Sequence, residues 1–173
     1  MIMDDTTGRR HETDIRGRFV RLPSVFRDWI TADGSSEYPA ERGRYHLYVS
    51  HACPWAHCAV ILRRLKRLED VVGMTVVDPI RDQRGWRFSN AEGCETDPVN
   101  GFEFLYEAYL STDPEYASRV TVPALWDQQT SRIVNNESSE IIRMFNSAFD
   151  EWGDASIDFY PANLRDQIDE INA

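Results

Sequence analysis

One cysteine at the junction between an apolar run and a proline-initiated segment is the strongest indication of chemistry in this chain. Cys53 follows the apolar run 45–49 and precedes Pro54, within the sequence HACPWAH. Proline is favoured at the first position of a helix, so the pattern predicts a strand, the cysteine and then a helix. The free N–H groups and the dipole of a helix N-terminus favour an anion, and a thiolate is the nucleophilic form of cysteine. We therefore predict that Cys53 is a reactive thiol, the alternative being a buried and inert cysteine.

The other two cysteines do not complete a metal or dithiol pattern. Cys58 lies five residues after Cys53, Cys94 stands alone, and zinc-type Cys/His spacing is missing. We therefore expect no metal site and no disulfide-stapled secreted scaffold, and a reducing cytoplasm suits a catalytic thiol. A dithiol enzyme needs its second cysteine three residues after the first, where Ala56 stands. A soluble thiol must therefore resolve any mixed disulfide.

The composition is that of an acidic globular protein. The 173 residues carry a formal net charge of -10 and are 42% hydrophobic, which suffices for one domain with a sizeable core. This charge argues against nucleic acid or an anionic membrane surface as a partner. The sequence has no run close to the roughly 18 apolar residues of a membrane-spanning helix. The charged N-terminus lacks the apolar part of a secretory signal, so we expect a cytoplasmic protein.

The spacing of apolar residues predicts the order βαβ, then a long irregular segment, then ββα. The predicted elements are a strand at 45–50, a helix at 54–68, a strand at 74–80 that is buried on both faces, a short helix at 102–110, a hairpin of 120–127 with 131–134, and a helix at 137–149. On the first helix, Trp55, Ala59, Leu62 and Leu65 are spaced to face the core, whereas Lys66 and its basic neighbours are expected in solvent. This order is that of a thioredoxin-like α/β domain.

We expect three parts along the chain. Residues 1–44 form an N-terminal arm that lays the apolar residues of 19–30 on the domain, and residues 45–149 form the thioredoxin-like domain. Residues 150–173 form a linker and the opening of a further helix that begins at Asn163. Because this helix has no closing glycine or proline, we expect it to be cut short.

The proline inside the first strand of the hairpin is unusual. Proline within a strand normally indicates an edge or an irregular strand, because it cannot donate to the ladder. A cis peptide between Val122 and Pro123 is the sharper interpretation. It exposes backbone groups with which an extended ligand can pair.

Three motifs together resemble a known family. They are SHACPWAH at 50–57, RVTVP at 119–123 and NNESSEIIRM at 135–144. From about Gly17 onward, the chain resembles the N-terminal portion of the glutathionyl-hydroquinone reductases, which are the omega-like xi class of glutathione transferases. In this resemblance 19–30 corresponds to the family's N-terminal arm, and 158–161 to the start of its helical domain.

The resemblance implies a glutathione-dependent reductase that acts on glutathionyl-hydroquinones. Cys53 would attack the sulfur of the conjugate, release the hydroquinone and hold glutathione as a mixed disulfide, which a second glutathione would resolve. The implied partners are a small-molecule thiol and a quinone conjugate. The thiol is glutathione or a related γ-glutamyl thiol. The family forms homodimers through a helical domain that is largely missing here.

The resemblance also implies which residues bind glutathione. They are Trp86, Arg119, Val120, Val122, Glu137 and Ser138. Glu137 and Ser138 would hold the γ-glutamyl amine and carboxylate, and Val122 would pair its backbone with the cysteinyl amide. Trp86 and Arg119 would flank the tripeptide. Each of these roles has an alternative. Glu137 and Ser138 would then only cap the helix, Trp86 would anchor a loop, and Arg119 would lie in solvent.

The chain departs from the family in two respects. Cys58 stands where a basic residue is expected, and a disulfide or a resolving role for Cys58 is the alternative to an inert side chain. Most of the helical C-terminal domain has no counterpart. Besides the reductase, two functions therefore stay open: a non-catalytic, thioredoxin-like glutathione-binding module, and a glutaredoxin-like or omega-like thiol transferase that acts on small mixed disulfides.

Overall fold

A four-stranded mixed sheet organises the chain. The computed structural model describes residues 16–18 and 23–172. Its elements are β1 (Ile30–Thr31), β2 (Tyr38–Pro39), β3 (Tyr45–Val49), α1 (Pro54–Leu65), β4 (Gly73–Val76), α2 (Leu105–Thr112), β5 (Ala124–Asp127), β6 (Arg132–Asn135), α3 (Ser138–Ser147) and α4 (Arg165–Asn172). The sheet order is β4-β3-β5-β6; β3 is parallel to β4 and antiparallel to β5, and β5 is antiparallel to β6. This confirms the predicted thioredoxin-like α/β fold.

The strand that leads to Cys53 lies in the middle of the sheet. All five residues of β3 are buried, and β4 and β5 bond to its two edges. Helix α1 follows, packs against α3 and returns the chain to β4, which gives the predicted βαβ unit. A strand that is paired on both sides is the least mobile part of a sheet, so Cys53 stands at the end of a rigid element.

The face that α1 turns to the core differs from the predicted one. Its buried residues are Ala56, Ala59 and Leu62. Trp55 is 58% exposed and Leu65 is also exposed, so these two residues were wrongly assigned to the inward face. Ala59 and Leu62 face the core as predicted, whereas Ala56 and Lys66 are buried in place of Trp55 and Leu65.

The predicted solvated position of Lys66 is also wrong. Its side chain is 1% exposed, and its Nζ donates to Asp150 Oδ1 and to the carbonyl oxygen of Ile157, both at 2.8 Å. A buried ammonium is tolerated where such partners replace its water. Lys66 thereby connects the end of α1 to the segment that follows α3.

Helix α1 ends at Leu65, three residues before the predicted end. Arg67 adopts a left-handed conformation with φ 55°, and its N–H donates to the carbonyl of Arg64. The N–H of Leu68 donates to the carbonyl of Arg63. This pair of bonds is the Schellman motif, which here stops the helix without a glycine.

The remaining elements are shorter than predicted or shifted. Strand β4 covers only Gly73–Val76 and lies at the edge of the sheet. Its first two residues are half-buried, so the predicted burial on both faces was wrong at this end of the strand. The short helix begins at Leu105 rather than at 102. The hairpin forms as predicted, but β5 begins only at Ala124, after the proline.

Asp97 holds the long irregular segment between β4 and α2 against the sheet. Its buried carboxylate accepts hydrogen bonds from the Tyr48 hydroxyl at 3.0 Å and from the N–H of Asn100 at 3.1 Å. At the other end of the segment, the N–H of Leu105 donates to the carbonyl of Trp86 at 2.9 Å. These bonds give Trp86 a defined position although it lies outside any helix or strand.

Residues 24–28 run alongside the end of β6 in the antiparallel direction. The N–H of Asp28 donates to the carbonyl of Val134, and the N–H of Asn136 donates to the carbonyl of Phe26, both at 3.0 Å. The Phe26 ring packs against two tyrosine rings of the core. Residues 19–22 of the predicted arm lie outside the described residues. The division at 44/45 and 149/150 stays a prediction.

Candidate functional site

Cys53 is the N-cap residue of α1. Its backbone is extended, with φ -103° and ψ 112°, and Pro54 occupies the first turn of the helix as predicted. The thiol is half-buried, and Sγ lies 3.5 Å from the carbonyl oxygen of Val122, within donating distance. The sulfur therefore lies at the start of a 12-residue helix and against the backbone of the segment that leads into β5.

The thiol opens into a cleft that five separate stretches of the chain form together. The lining residues are Pro23, Ser24, Cys53, Trp55, Trp86, Tyr116, Ser118, Arg119, Thr121, Val122, Pro123, Asn136 and Ser138. The Val122–Pro123 peptide bond is cis, as predicted. The cleft thus joins the N-terminus of α1 to the N-terminus of α3, across the segment that precedes β5.

Five of the seven predicted site residues line this cleft, whereas Val120 and Glu137 do not. Cys53, Trp86, Arg119, Val122 and Ser138 all line it. The side chain of Val120, by contrast, is only 3% exposed and belongs to the hydrophobic core. Its place in the motif is therefore explained by packing of its side chain.

Glu137 stands beside the cleft as the N-cap residue of α3. Its Oε1 accepts hydrogen bonds from the N–H of Ser139 at 3.4 Å and from the Ser139 hydroxyl at 3.1 Å. Its Oε2 accepts a hydrogen bond from the Ser24 hydroxyl at 3.0 Å. The capping role weighed from sequence is therefore observed. It leaves the carboxylate next to Ser138, at the positive end of a helix.

Trp86 and Arg119 both form part of the cleft wall. The Trp86 side chain is largely buried, and the guanidinium of Arg81 lies 5.0 Å from the centre of its ring. The carbonyl of Arg119 accepts a hydrogen bond from the Tyr116 hydroxyl at 2.6 Å. Burial raises the pKa of Tyr116 well above its ordinary value, so this hydroxyl stays protonated and keeps the bond.

Sequence reasoning missed several residues of the cleft. The Asn136 side chain is buried and donates to the Tyr109 hydroxyl and to Thr121 Oγ1, and its Oδ1 accepts from the N–H of Phe26. Asn136 belongs to the third sequence motif, which was a usable signal. Ser24 lies within the segment 19–30 that was expected to pack on the domain, but its bond to the start of α3 was not predicted.

The other cysteines lie apart from this arrangement. Cys58 is exposed on α1, with its Sγ 3.9 Å from the carbonyl of Pro54, and Cys94 lies in the irregular segment. All three cysteines are free. Within residues 16–18 and 23–172, no cluster of three or more His, Cys, Asp or Glu side chains could hold a metal ion. Across the same residues, no helix is long and apolar enough to span a membrane.

Comparison with known proteins identifies the family. The family model described as the N-terminal domain of glutathione S-transferases matches residues 52–148, more than half of the chain. The chain belongs to the glutathione S-transferase family. The match contains Cys53, the cis proline and the N-terminus of α3, which are the three parts that meet at the cleft.

Individual relatives point to one class within this family. The chain is 50% identical to the glutathionyl-hydroquinone reductase YqjG of Escherichia coli (strain K12), over 90% of this chain and 50% of the relative. The glutathione-bound structure of YqjG superposes with a TM-score of 0.82 at 49% identity, over 86% of this chain and 50% of that one. The xi-class glutathione S-transferase of Phanerochaete chrysosporium gives a TM-score of 0.84 at 48% identity, over 89% and 53%. The resemblance to this class is confirmed. The chain spans about half the length of these relatives.

Proposed function

We propose that this chain forms the thiol-binding, cysteine-bearing part of a glutathionyl-hydroquinone reductase. The proposal depends chiefly on one observation. The half-buried sulfur of Cys53 lies at the start of α1, 3.5 Å from the Val122 carbonyl, in a cleft that also contains the N-terminus of α3. Such a cleft offers an accessible sulfur nucleophile and binding groups for a short peptide. The close relatives named above support the choice of reaction.

The cleft has the groups that glutathione requires. The positive end of the α3 dipole, at Ser138, suits the γ-glutamyl carboxylate, and the Glu137 carboxylate suits the neighbouring ammonium group. The backbone of Val122, next to the Cys53 sulfur, is positioned to pair with the cysteinyl amide. Arg119 suits the glycyl carboxylate. A related γ-glutamyl thiol shares the first of these groups and would bind in the same orientation.

The reaction proceeds in two exchanges at one sulfur. In the first, the Cys53 thiolate attacks the glutathione sulfur of the conjugate, so an S–S bond forms and the bond from sulfur to the aromatic carbon breaks. The carbon takes the electron pair and a proton, and hydroquinone leaves. In the second, a glutathione thiolate attacks the glutathione sulfur of the mixed disulfide, which releases glutathione disulfide and restores Cys53.

A second protein thiol is not required by this scheme. Ala56 is fully buried at the position where a dithiol enzyme has its resolving cysteine, and Cys58 is exposed five residues away. The resolving thiol therefore comes from solution, and a cytoplasm that keeps glutathione reduced supplies it. The partners in this proposal are a small thiol and a quinone conjugate. The homodimer of the family stays a prediction for this chain.

Replacing Cys53 by serine tests the proposal, with Cys58→Ser as the matched control. We expect Cys53→Ser to lower the reduction of glutathionyl-menadiol by a factor on the order of a thousand or more, because the nucleophile is lost. Cys58→Ser should remain close to the wild type. Mass spectrometry should find one glutathionyl group on the wild-type protein after the first exchange, and none on Cys53→Ser.

Three outcomes would overturn this proposal. Undiminished reduction by Cys53→Ser would exclude the mechanism. Faster turnover of a simple glutathione mixed disulfide than of the quinone conjugate would replace the reductase with a thiol transferase. Binding of glutathione without any glutathionylation of Cys53 would indicate a non-catalytic binding module.

A further inference from the structure

The N-terminal segment contributes directly to the thiol cleft. Pro23 and Ser24 line it together with Cys53 and Ser138. The chain then continues as an added antiparallel segment beside the end of β6, where the N–H and carbonyl of Phe26 both bond to Asn136. Ser24 is thereby held next to the N-terminus of α3 by backbone bonds, rather than by its side chain alone.

The Ser24 hydroxyl contacts the Glu137 carboxylate beside the cleft. Its Oγ lies 3.0 Å from Oε2 of Glu137 and 3.2 Å from the carbonyl oxygen of Asn136. On the opposite side, the N–H and hydroxyl of Ser139 donate to Oε1 of Glu137. The carboxylate is therefore held from two sides. One side is local, in the first turn of α3, and the other comes from a segment 113 residues earlier.

Two-sided support of this kind fixes a carboxylate in space. A glutamate side chain has several rotatable bonds, and fixing them during binding costs conformational entropy. A hydrogen bond that already orders the side chain before binding reduces this cost in the binding free energy. The Ser139 bonds restrain one oxygen only. The hydroxyl of Ser24 restrains the other, so it selects the plane of the carboxylate and the direction in which that group meets a cation.

We propose that Ser24 is a positioning residue for the thiol co-substrate. It orients the Glu137 carboxylate toward the ammonium of the γ-glutamyl group, which makes the N-terminal segment part of the specificity for γ-glutamyl thiols with a free amine. This inference rests on the proposed function, in which Glu137 pairs with that ammonium. Ser24 itself touches neither the sulfur nor the leaving group, so it acts through Glu137.

Binding measurements with two probes separate this role from a merely structural one. The probes are S-methylglutathione, which cannot react with Cys53, and its N-acetyl derivative, in which the ammonium is lost. For Ser24→Ala, we expect S-methylglutathione to bind about three- to tenfold more weakly by calorimetry, the effect of one lost hydrogen bond. Binding of the N-acetyl probe should be unchanged.

Two further variants serve as controls. Ser24→Thr keeps the hydroxyl and should restore the affinity for S-methylglutathione. Ser147→Ala removes an exposed hydroxyl at the far end of α3 and should leave both affinities unchanged. Equal weakening of both probes by Ser24→Ala, with a lowered thermal midpoint, would mean that Ser24 only anchors the segment and would overturn the proposal. Unchanged affinity for both probes would overturn it as well.

The result of the Ser24→Ala binding test can be distinguished from failure of the proposed reductase function. The binding assay needs no turnover, whereas the test of the reductase depends on Cys53. A selective loss in Ser24→Ala, together with an inactive wild type, would retain the positioning role and reject the reaction. If the wild type is active and depends on Cys53, and Ser24→Ala binds both probes normally, the reductase function is retained and the positioning role is rejected.

Discussion

Replacing Asp127 by asparagine removes the negative charge of a buried ion pair at the end of β5, the strand that follows the cis proline of the cleft. The Asp127 side chain is fully buried, and that of Arg44 is 6% exposed. The carboxylate accepts hydrogen bonds from Arg44 Nε at 2.8 Å, Arg44 Nη2 at 2.7 Å, the N–H of Gln129 at 3.0 Å and Thr130 Oγ1 at 2.8 Å. Every partner is a donor, so the NH₂ group of an asparagine must face at least one of them.

The size of the effect follows from what remains around Arg44. Breaking a buried ion pair from one side costs about 3–5 kcal/mol, because the other charge stays buried without its partner. Arg44 keeps one further contact, from Nη1 to Glu41 Oε1 at 2.8 Å, although that carboxylate is 43% exposed and screened by water. We therefore expect a loss of about 3 kcal/mol in the free energy of unfolding, a large share of the roughly 5–15 kcal/mol of a typical domain.

Urea unfolding at pH 7, followed by tryptophan fluorescence, measures this loss. The midpoint should fall while the slope of the unfolding free energy against urea stays the same, since the folded surface does not change. Asp70→Asn is the matched control, because Asp70 is exposed and its loss should cost little. A loss below about 1 kcal/mol for Asp127→Asn would refute the assignment of this pair as a major contribution.

The same variant should alter the dependence of stability on pH. Burial by itself raises the pKa of Asp127, but the hydrogen bonds from Arg44, Gln129 and Thr130 outweigh burial and lower the pKa below its ordinary value of 3.8. A lowered carboxyl pKa gives stability that is present above the unfolded pKa and is lost as the pH falls through the folded one. The difference between wild type and Asp127→Asn should therefore be constant from neutral pH down to about pH 5 and shrink below about pH 4. A difference that persists undiminished in acid would contradict this account.

Two other substitutions test how the sheet and α1 are held. In Gly73→Ala, the new Cβ would lie 2.4 Å from His46 Nδ1, and the buried His46 ring is already bonded to Thr75, so chemical denaturation should report a loss of about 1–3 kcal/mol. In Lys66→Ala, the buried Nζ no longer bonds to Asp150, and because that carboxylate is 40% exposed and stays hydrated, the unfolding free energy should fall by about 1–3 kcal/mol. A thermal midpoint equal to that of the wild type would contradict either expectation.

Much of the site could be predicted because its chemistry is local. The start of α1 at Pro54, the cap at Glu137 and the cis bond before Pro123 each depend on a few neighbouring residues, whose backbone preferences are visible in the sequence. The order of strands and helices followed from the spacing of apolar residues. The strand–cysteine–proline–helix pattern therefore already indicated that the Cys53 thiol would lie at the N-terminus of a helix.

Other features were settled only when distant segments packed together. Periodicity alone put Trp55 on the wrong face of α1 and Lys66 in solvent, because neither a cleft nor Asp150 is visible from within the helix. The bond from Ser24 to Glu137 joins residues 113 positions apart, and no local pattern encodes such a contact. The sequence by itself thus determined which backbone conformations were favoured and where the thiol would lie on its helix. Tertiary structure decided which side chains surround that thiol, because burial and long-range hydrogen bonds depend on the partners that folding brings near.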